Sequence, residues 1–176
     1  GRPDGIVQPK VSGPDDVLAL GSKLDALEAQ HGLAAGSMRI LPVATETPAA
    51  VFNLGGYRRC APRLYGLTWG AEDLSSAIGA TANKDAAGAW TTPYQLVRTL
   101  CLFGAHAAGV AAIDTLYANI HDVAGLRAAC ALASRDGFSG KLAIHPDQVA
   151  IINECFAPTA AEIAQAREVV ALFAAN

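Results

Sequence analysis

The chain has 176 residues and a net charge of −3 at pH 7, and 52% of its residues are hydrophobic while only 16% are charged. This composition excludes a disordered chain, and the lack of a basic surplus excludes a protein that coats nucleic acid. The apolar runs are short and broken, far from the roughly 18 residues of a membrane-spanning helix. We expect one domain comprising residues 1–176, because this length is sufficient for a sizeable core.

Five short apolar runs predict β-strands, at residues 4–11, 38–45, 63–70, 109–117 and 140–146. Each run contains few charges and does not alternate strictly with polar residues. That pattern is typical of parallel strands that are buried on both faces.

Helical patterns lie between these runs. One begins with Pro14 and acids in its first turn, two others end at Gly109 and Gly137, and the last has Thr159 and Glu162 spaced as a capping box. The alternation of strand and helix predicts right-handed βα units, either in a doubly wound sheet or in part of a TIM barrel. A full barrel usually needs ~250 residues, so five strands would form only part of one.

Acidic residues follow two of the predicted strands. The second run ends in "VATETP" with Glu46, and the third ends in "WGAEDL" with Glu72 and Asp73. If these strands are neighbours, ~4.8 Å apart, Glu46 and Asp73 lie at the edge of the sheet where ligands bind. Two carboxylates favour Mg²⁺ or Mn²⁺. The alternative is that the acids cap the helices that follow, and the pattern leaves both interpretations open.

Three further polar residues lie at strand ends and are candidates for substrate binding. They are Lys10, Asp114 and His145. Each also has an ordinary structural explanation: a solvated lysine, a buried acid with a partner, and a hydrogen-bonded histidine. No catalytic acid or base is identified.

Two other segments are predicted to form an active-site loop and a solvent-exposed helix end. The glycine-rich segment 79–93 is a candidate active-site loop, and Arg58, Arg59 and Arg63 are expected to form a solvated helix end.

The spacing of the cysteines and histidines gives expectations about the cellular compartment and about a zinc site. Cys60, Cys101, Cys130 and Cys155 are widely spaced without a C-x-x-C pair, which indicates reduced thiols and a cytoplasmic protein. The histidines form no H-x-x-x-H pattern, so zinc has weak support.

Several motifs together resemble the HpcH/HpaI aldolase and citrate lyase β-subunit superfamily, in particular its CoA-ester lyase branch. The motifs are "PDGIVQPKV", "ATETP", "GLTWGAEDLSSAIGA", "AAIDTLY" and "GFSGKLAIHPDQVAIINECFAPTAAEIAQAREVVALF", and they occur in the family's order. The resemblance implies an α/β fold of TIM-barrel type, (β/α)8, of which this chain supplies about five βα units. It also implies Mg²⁺ at the barrel mouth, held by Glu46 and Asp73, although relatives often have "IET" where this chain has "ATET".

The resemblance implies an activity as well. The expected reaction is magnesium-dependent cleavage or formation of a carbon–carbon bond in a hydroxyacyl thioester such as citryl-, malyl- or citramalyl-CoA. An acyl-CoA or acyl-carrier thioester would be the substrate, and the chain would form a trimer or hexamer without nucleic acid or membrane. The match begins at the fourth barrel strand and lacks the family's C-terminal lid. The alternative is therefore a truncated, non-catalytic barrel subunit with a structural or assembly role.

Overall fold

The computed structural model describes residues 3–60 and 63–174. Strands and helices alternate along this part of the chain. The strands are β1 (Gly5–Gln8), β2 (Arg39–Pro42), β3 (Gly66–Thr68), β4 (Ala111–Asp114) and β5 (Gly140–Lys141). The α-helices are α1 (Pro14–Gln30), α2 (Pro48–Phe52), α3 (Glu72–Ala77), α4 (Thr92–Ala108), α5 (Val123–Asp136), α6 (Pro146–Phe156) and α7 (Ala160–Ala174), with a 3-10 helix at Leu54–Cys60.

All strand pairs are parallel, and their spatial order follows the chain order. β1 pairs with β2, and β3 pairs with β4, which pairs with β5. Two parallel bridges, Ile40 with Leu64 and Val43 with Thr68, connect β2 to β3. A doubly wound sheet would reverse the strand order at a switch point, whereas a barrel wall keeps it. The expected TIM-barrel type of fold is therefore confirmed.

Helix boundaries follow local chemistry. Asp122 caps α5 by accepting a hydrogen bond from the Gly125 N–H at 2.8 Å. Gly109 and Gly137 end α4 and α5 with φ angles of 71° and 103°, which glycine adopts without steric cost. The predicted capping box also forms, because Glu162 accepts from the Thr159 N–H at 2.7 Å and the Thr159 hydroxyl accepts from the Glu162 N–H at 3.2 Å.

The prediction of the last strand is wrong over most of its length. Only Gly140 and Lys141 of residues 140–146 form β-structure. The Leu142 N–H still donates to the Asp114 carbonyl at 3.0 Å, after which the chain turns into α6. Pro146 begins that helix, where its fixed φ fits the first turn. The helix itself is an element that the sequence patterns did not predict.

The two faces of the sheet differ in burial. The face toward the helices carries buried side chains of Ile40, Leu67 and Trp69. On the opposite face, Val7 is 51% exposed and Tyr65 is 52% exposed, beside a cavity of about 330 Å³. In the described part of the chain, no helix is long and apolar enough to cross a membrane.

Arg63 corrects the expectation of a solvated arginine cluster. Its side chain is only 9% exposed, and its guanidinium donates to Glu28 and Asp25 on α1 and to the Met38 carbonyl. Arg58 and Arg59 are exposed as expected. A guanidinium has five donors, and the acids of α1 lie where they accept from it as the helix packs against β2 and the 3-10 helix. The ion pair therefore fastens α1 to the sheet.

Glu28 makes this ion pair sensitive to pH. The hydrogen bond from Arg63, together with those from the Met38 and Gly36 N–H groups, holds the pKa of Glu28 far below its usual range. A depressed carboxyl pKa adds stability above the unfolded-state pKa of ~4.3, and that stability is lost as pH falls toward the folded-state value.

We expect Glu28→Gln to lower the thermal midpoint at pH 7 by roughly 10 °C and to reduce the loss of stability between pH 4 and 2. Thermal unfolding followed by circular dichroism at several pH values measures both effects. Asp15→Asn is the matched control, because Asp15 pairs with exposed Arg59 and is itself 84% exposed. Equal midpoints for the two variants would show that the buried pair does not stabilise the fold.

Candidate functional site

Two loops that follow neighbouring strands carry the predicted metal ligands. Beyond β2, the Ala44 N–H donates to the Thr68 carbonyl at 2.8 Å, so strand pairing continues to the end of β3. Glu46 follows directly after this pairing, and Asp73 lies in the first turn of α3. The carboxyl ends of β2 and β3 therefore bring these two acids to one edge of the sheet.

Lys10 connects the two acids. Its backbone N–H donates to the Glu46 carboxylate, and its ammonium donates to Asp73 Oδ2 at 2.6 Å. Lys10 has a φ of 56°, in the left-handed region that non-glycine residues seldom adopt. This backbone conformation accompanies the double contact, in which the N–H and the ammonium of Lys10 bind different carboxylates. Lys10, which the sequence suggested separately for substrate binding, thus forms one cluster with the predicted metal ligands Glu46 and Asp73.

The charges in this cluster influence each other. Burial raises the pKa of Glu46, and the negative charge of Asp73 adds to the rise. The hydrogen bond and positive charge of Lys10 lower the pKa of Asp73, and the same contact raises the pKa of Lys10. Two carboxylates this close are unfavourable without a cation beside them. In this structure the Lys10 ammonium is that cation.

The residues present fit a magnesium ion better than zinc. The described residues contain no group of three or more histidine, cysteine or acidic side chains that could hold a metal, which leaves two carboxylates as the protein donors. Mg²⁺ is commonly bound through one or two carboxylates and keeps its other positions for water and substrate oxygens, whereas zinc sites need three or four protein ligands. Glu46 and Asp73 would therefore hold it.

The neighbouring acid Glu72 makes a local contact. Its carboxylate accepts from the Ala71 N–H at 3.3 Å, at the start of α3. Since α3 follows its N-cap residue Ala71 without a side-chain cap hydrogen bond, a capping role for Glu72 stays a prediction, while Asp73 is directed to Lys10. Acids in the first turn of a helix are favourable in either role.

The sequence patterns did not identify two residues near the acids, Gly70 and Thr45, as parts of the site. A Cβ on Gly70 would lie 3.2 Å from Val43 Cγ1, so Val43 would have to shift by a few tenths of an ångström, and 3.4 Å from Glu46 Cγ, which is ordinary van der Waals contact. Thr45 is fully buried and is hydrogen-bonded to Gly70. The sequence offered one signal for Thr45, which is that it is a polar residue in an apolar run and directly precedes Glu46.

Asp114 belongs to a different polar network. Its carboxylate accepts from Lys141 Nζ at 2.7 Å, from Trp69 Nε1 at 2.7 Å and from Arg98 Nε at 3.3 Å. Arg98 also binds Asp136 at 2.7 Å. These partners are distinct from those of Lys10, and they supply what a buried charge requires. A substrate-binding role for Asp114 stays a prediction.

His145 and the long loop contact residues outside the cluster of Lys10, Glu46 and Asp73. The His145 side chain accepts from the Asp147 N–H at 3.3 Å and so caps α6, which leaves its predicted contact with substrate untested. In the loop, Trp90 packs edge-on against Trp69 with ring centroids 5.1 Å apart, and the Lys84 ammonium lies 4.4 Å from the Trp90 ring centre. The loop thereby covers a cavity of about 450 Å³ above Asp114 and Lys141.

Comparison with known proteins finds relatives named as lyases of CoA esters and one named as a (3S)-malyl-CoA thioesterase. The chain is 31% identical to citramalyl-CoA lyase, mitochondrial, from Rattus norvegicus, over 97% of this chain and 51% of that protein. It is 32% identical to L-malyl-CoA/beta-methylmalyl-CoA lyase from Rhodobacter capsulatus, over 97% of this chain and 57% of that protein. The chain thus spans about half the length of the curated relatives it matches.

A solved structure and a family match agree with these relatives. The chain superposes with a TM-score of 0.67 and 26% identity on protein CitE from Mycobacterium tuberculosis in complex with magnesium, acetoacetate and coenzyme A, covering 88% of this chain and 63% of that one. Residues 1–146 match the family described as HpcH/HpaI aldolase/citrate lyase. With a parallel sheet in chain order and two acids at neighbouring strand ends, the chain belongs to the HpcH/HpaI aldolase/citrate lyase family.

Proposed function

We propose that the chain provides the magnesium-binding part of a carbon–carbon lyase that acts on hydroxyacyl thioesters. Citryl-, malyl- and citramalyl-CoA are the candidate substrates, and the products are an oxoacid and an acyl thioester. Two of the relatives named above are lyases of CoA esters, and the superposed structure contains magnesium and coenzyme A. Mn²⁺ is a candidate substitute, because it accepts the same oxygen ligands.

The observation that carries the proposal is the cluster of Glu46, Asp73 and Lys10. It places two carboxylates and one ammonium at the mouth of the sheet, with Lys10 72% exposed and Asp73 44% exposed. Such a cluster is accessible to a small anionic substrate. A cap alone would not require both acids to face the same lysine.

The reaction requires charge stabilisation more than a reactive side chain. The substrate hydroxyl loses a proton and becomes the carbonyl of the oxoacid, the carbon–carbon bond breaks, and the electron pair moves to the thioester enolate, which then takes up a proton. A bound magnesium ion supplies positive charge for the oxoacid oxygens and orients them. Glu46 and Asp73 hold the cation, and the exposed Lys10 ammonium binds an anionic oxygen of the substrate.

We expect the Lys10 ammonium to weaken magnesium binding and to strengthen substrate binding. The ammonium now binds Asp73 Oδ2, an atom that magnesium needs. An exposed ion pair contributes up to about 1 kcal/mol, so Lys10→Met should raise the magnesium affinity about two- to fivefold. The same variant should increase KM, because the substrate loses a cationic partner. Calorimetry and steady-state kinetics measure the two effects, with Lys23→Met on α1 as the control for a lysine outside the cluster.

A panel of acyl-CoA esters tests the proposed function most broadly. The chain is incubated with citryl-, malyl- and citramalyl-CoA, with and without magnesium, and the oxoacid and acyl thioester are separated by chromatography. We expect magnesium-dependent release of both products from at least one ester. Release that is equal with and without magnesium would contradict the proposal.

A structural role in an assembly is the second candidate, and exposed apolar surface favours it. Val170 and Phe173 on α7 are 68% and 80% exposed, and Val7 and Tyr65 are half exposed on the open face of the sheet. We propose association into a trimer or hexamer in either case. Light scattering measures the oligomeric state, and a purely structural subunit would bind no magnesium.

A further inference from the structure

We propose that Thr45 is a positioning residue, which fixes the separation of the two carboxylate-bearing loops and thereby the affinity for a divalent cation. This inference rests on the proposed function, because it concerns the same pair of acids. Thr45 touches neither acid through its hydroxyl. It acts through Gly70, in the loop that leads from β3 to Asp73.

The Thr45 hydroxyl makes two hydrogen bonds with a single residue across the sheet. Its Oγ1 accepts from the Gly70 N–H at 3.0 Å and donates to the Gly70 carbonyl at 3.1 Å. Thr45 is fully buried, so water has little access to replace either bond. One side chain therefore holds both backbone polar groups of Gly70.

The position of Gly70 bears directly on Glu46. Gly70 packs beside the Glu46 side chain, because an added Cβ would lie in ordinary van der Waals contact with Glu46 Cγ, at 3.4 Å. Thr45 directly precedes Glu46 in the chain, and Asp73 lies three residues after Gly70. A shift of Gly70 would move the two acids relative to each other, and metal sites tolerate such shifts poorly because ligand orientation sets affinity.

Thr68 provides a matched control in the adjacent strand. Its hydroxyl is also fully buried, but within the described chain its Oγ1 has no hydrogen-bond partner. Thr→Val at either position removes a buried hydroxyl while preserving side-chain shape. Only the change at Thr45 releases the loop that leads to Asp73.

The experiment is magnesium titration of the chain by isothermal calorimetry, with thermal unfolding recorded for each variant. Thr45→Val should weaken magnesium binding about tenfold, equivalent to ~1.4 kcal/mol, while Thr68→Val should remain within about twofold of the original affinity. Thr45→Ser, which keeps the hydroxyl, should retain affinity. Thr45→Ala repeats the hydroxyl-free test if the valine variant does not fold. Amide exchange at Gly70 should accelerate in the hydroxyl-free variants.

Three results would overturn the inference. A Thr45→Val variant with a lower unfolding midpoint and unchanged affinity would assign Thr45 a purely structural role. Thr45→Ser could lose as much affinity as Thr45→Val. Equal losses in Thr45→Val and Thr68→Val would remove the specific role of the Gly70 contact. If the original chain itself binds no magnesium, the proposed function fails together with this inference, an outcome that is distinct from a failure of Thr45 alone.

Discussion

Replacing either proposed ligand should abolish specific magnesium binding while the fold survives. We expect Asp73→Asn and Glu46→Gln each to reduce magnesium affinity by at least about 100-fold, because changes to residues behind a metal ligand already cost 10–100-fold. Asp73 is 44% exposed and Glu46 is partly buried, and an amide has nearly the shape of the carboxylate that it replaces, so these replacements need little repacking. Magnesium-dependent thioester cleavage should fall in parallel. Calorimetry and the product assay measure these effects.

Glu72→Gln is the matched control for this experiment. It makes the same change of charge beside Asp73, but within the described residues the Glu72 carboxylate accepts a hydrogen bond from the local Ala71 N–H and not from Lys10. Its magnesium affinity should stay within about threefold of the original, since Glu72 is exposed and its charge is screened by solvent and salt. If Glu72→Gln abolished binding and Asp73→Asn did not, the ligands would have to be reassigned.

The second large effect is expected at Asp114. Its carboxylate neutralises Lys141, whose side chain is only 3% exposed, and also accepts from Trp69 and Arg98. Removing one partner of a buried ion pair leaves an uncompensated charge, so Asp114→Ala should lower the free energy of unfolding by about 3–5 kcal/mol. That is a large part of a typical total stability of about 5–15 kcal/mol. Chemical denaturation measures this loss.

Two further variants separate charge burial from a general packing defect. Asp136→Ala removes an acid that also binds Arg98 but is 29% exposed, so it should cost about 1 kcal/mol or less. The double variant Asp114→Ala with Lys141→Met should recover part of the loss, because no unpaired charge remains. An Asp114→Ala cost no greater than that of Asp136→Ala would contradict the buried-pair explanation.

The sequence was sufficient for the order of the strands but not for helix α6 or for the pairing of the acids. All five strands begin within the predicted apolar runs, because buried parallel strands have a recognisable composition. The pattern alone allowed Glu46 and Asp73 to be caps. Family resemblance selected them as ligands, and the structure places both against Lys10. Their metal-binding role itself stays a prediction until cation binding is measured.

Contacts between distant residues account for what the sequence did not reveal. Arg63 lies beside exposed arginines in sequence, yet its partner Glu28 is 35 residues away and becomes a neighbour only when α1 packs on the sheet. The bonds of Thr45 to Gly70 depend in the same way on the register of β2 against β3. The end of β5 was misjudged because an apolar run also suits the turn into α6.

A crystal structure of the chain grown with Mn²⁺ would test the central claim most directly, because manganese scatters anomalously and accepts the same oxygen ligands as magnesium. We predict one anomalous peak about 2.0–2.3 Å from a carboxylate oxygen of both Glu46 and Asp73, with the Lys10 ammonium displaced from Asp73. A Lys10–Asp73 ion pair that persists at saturating Mn²⁺, or a peak bound by neither acid, would contradict the account.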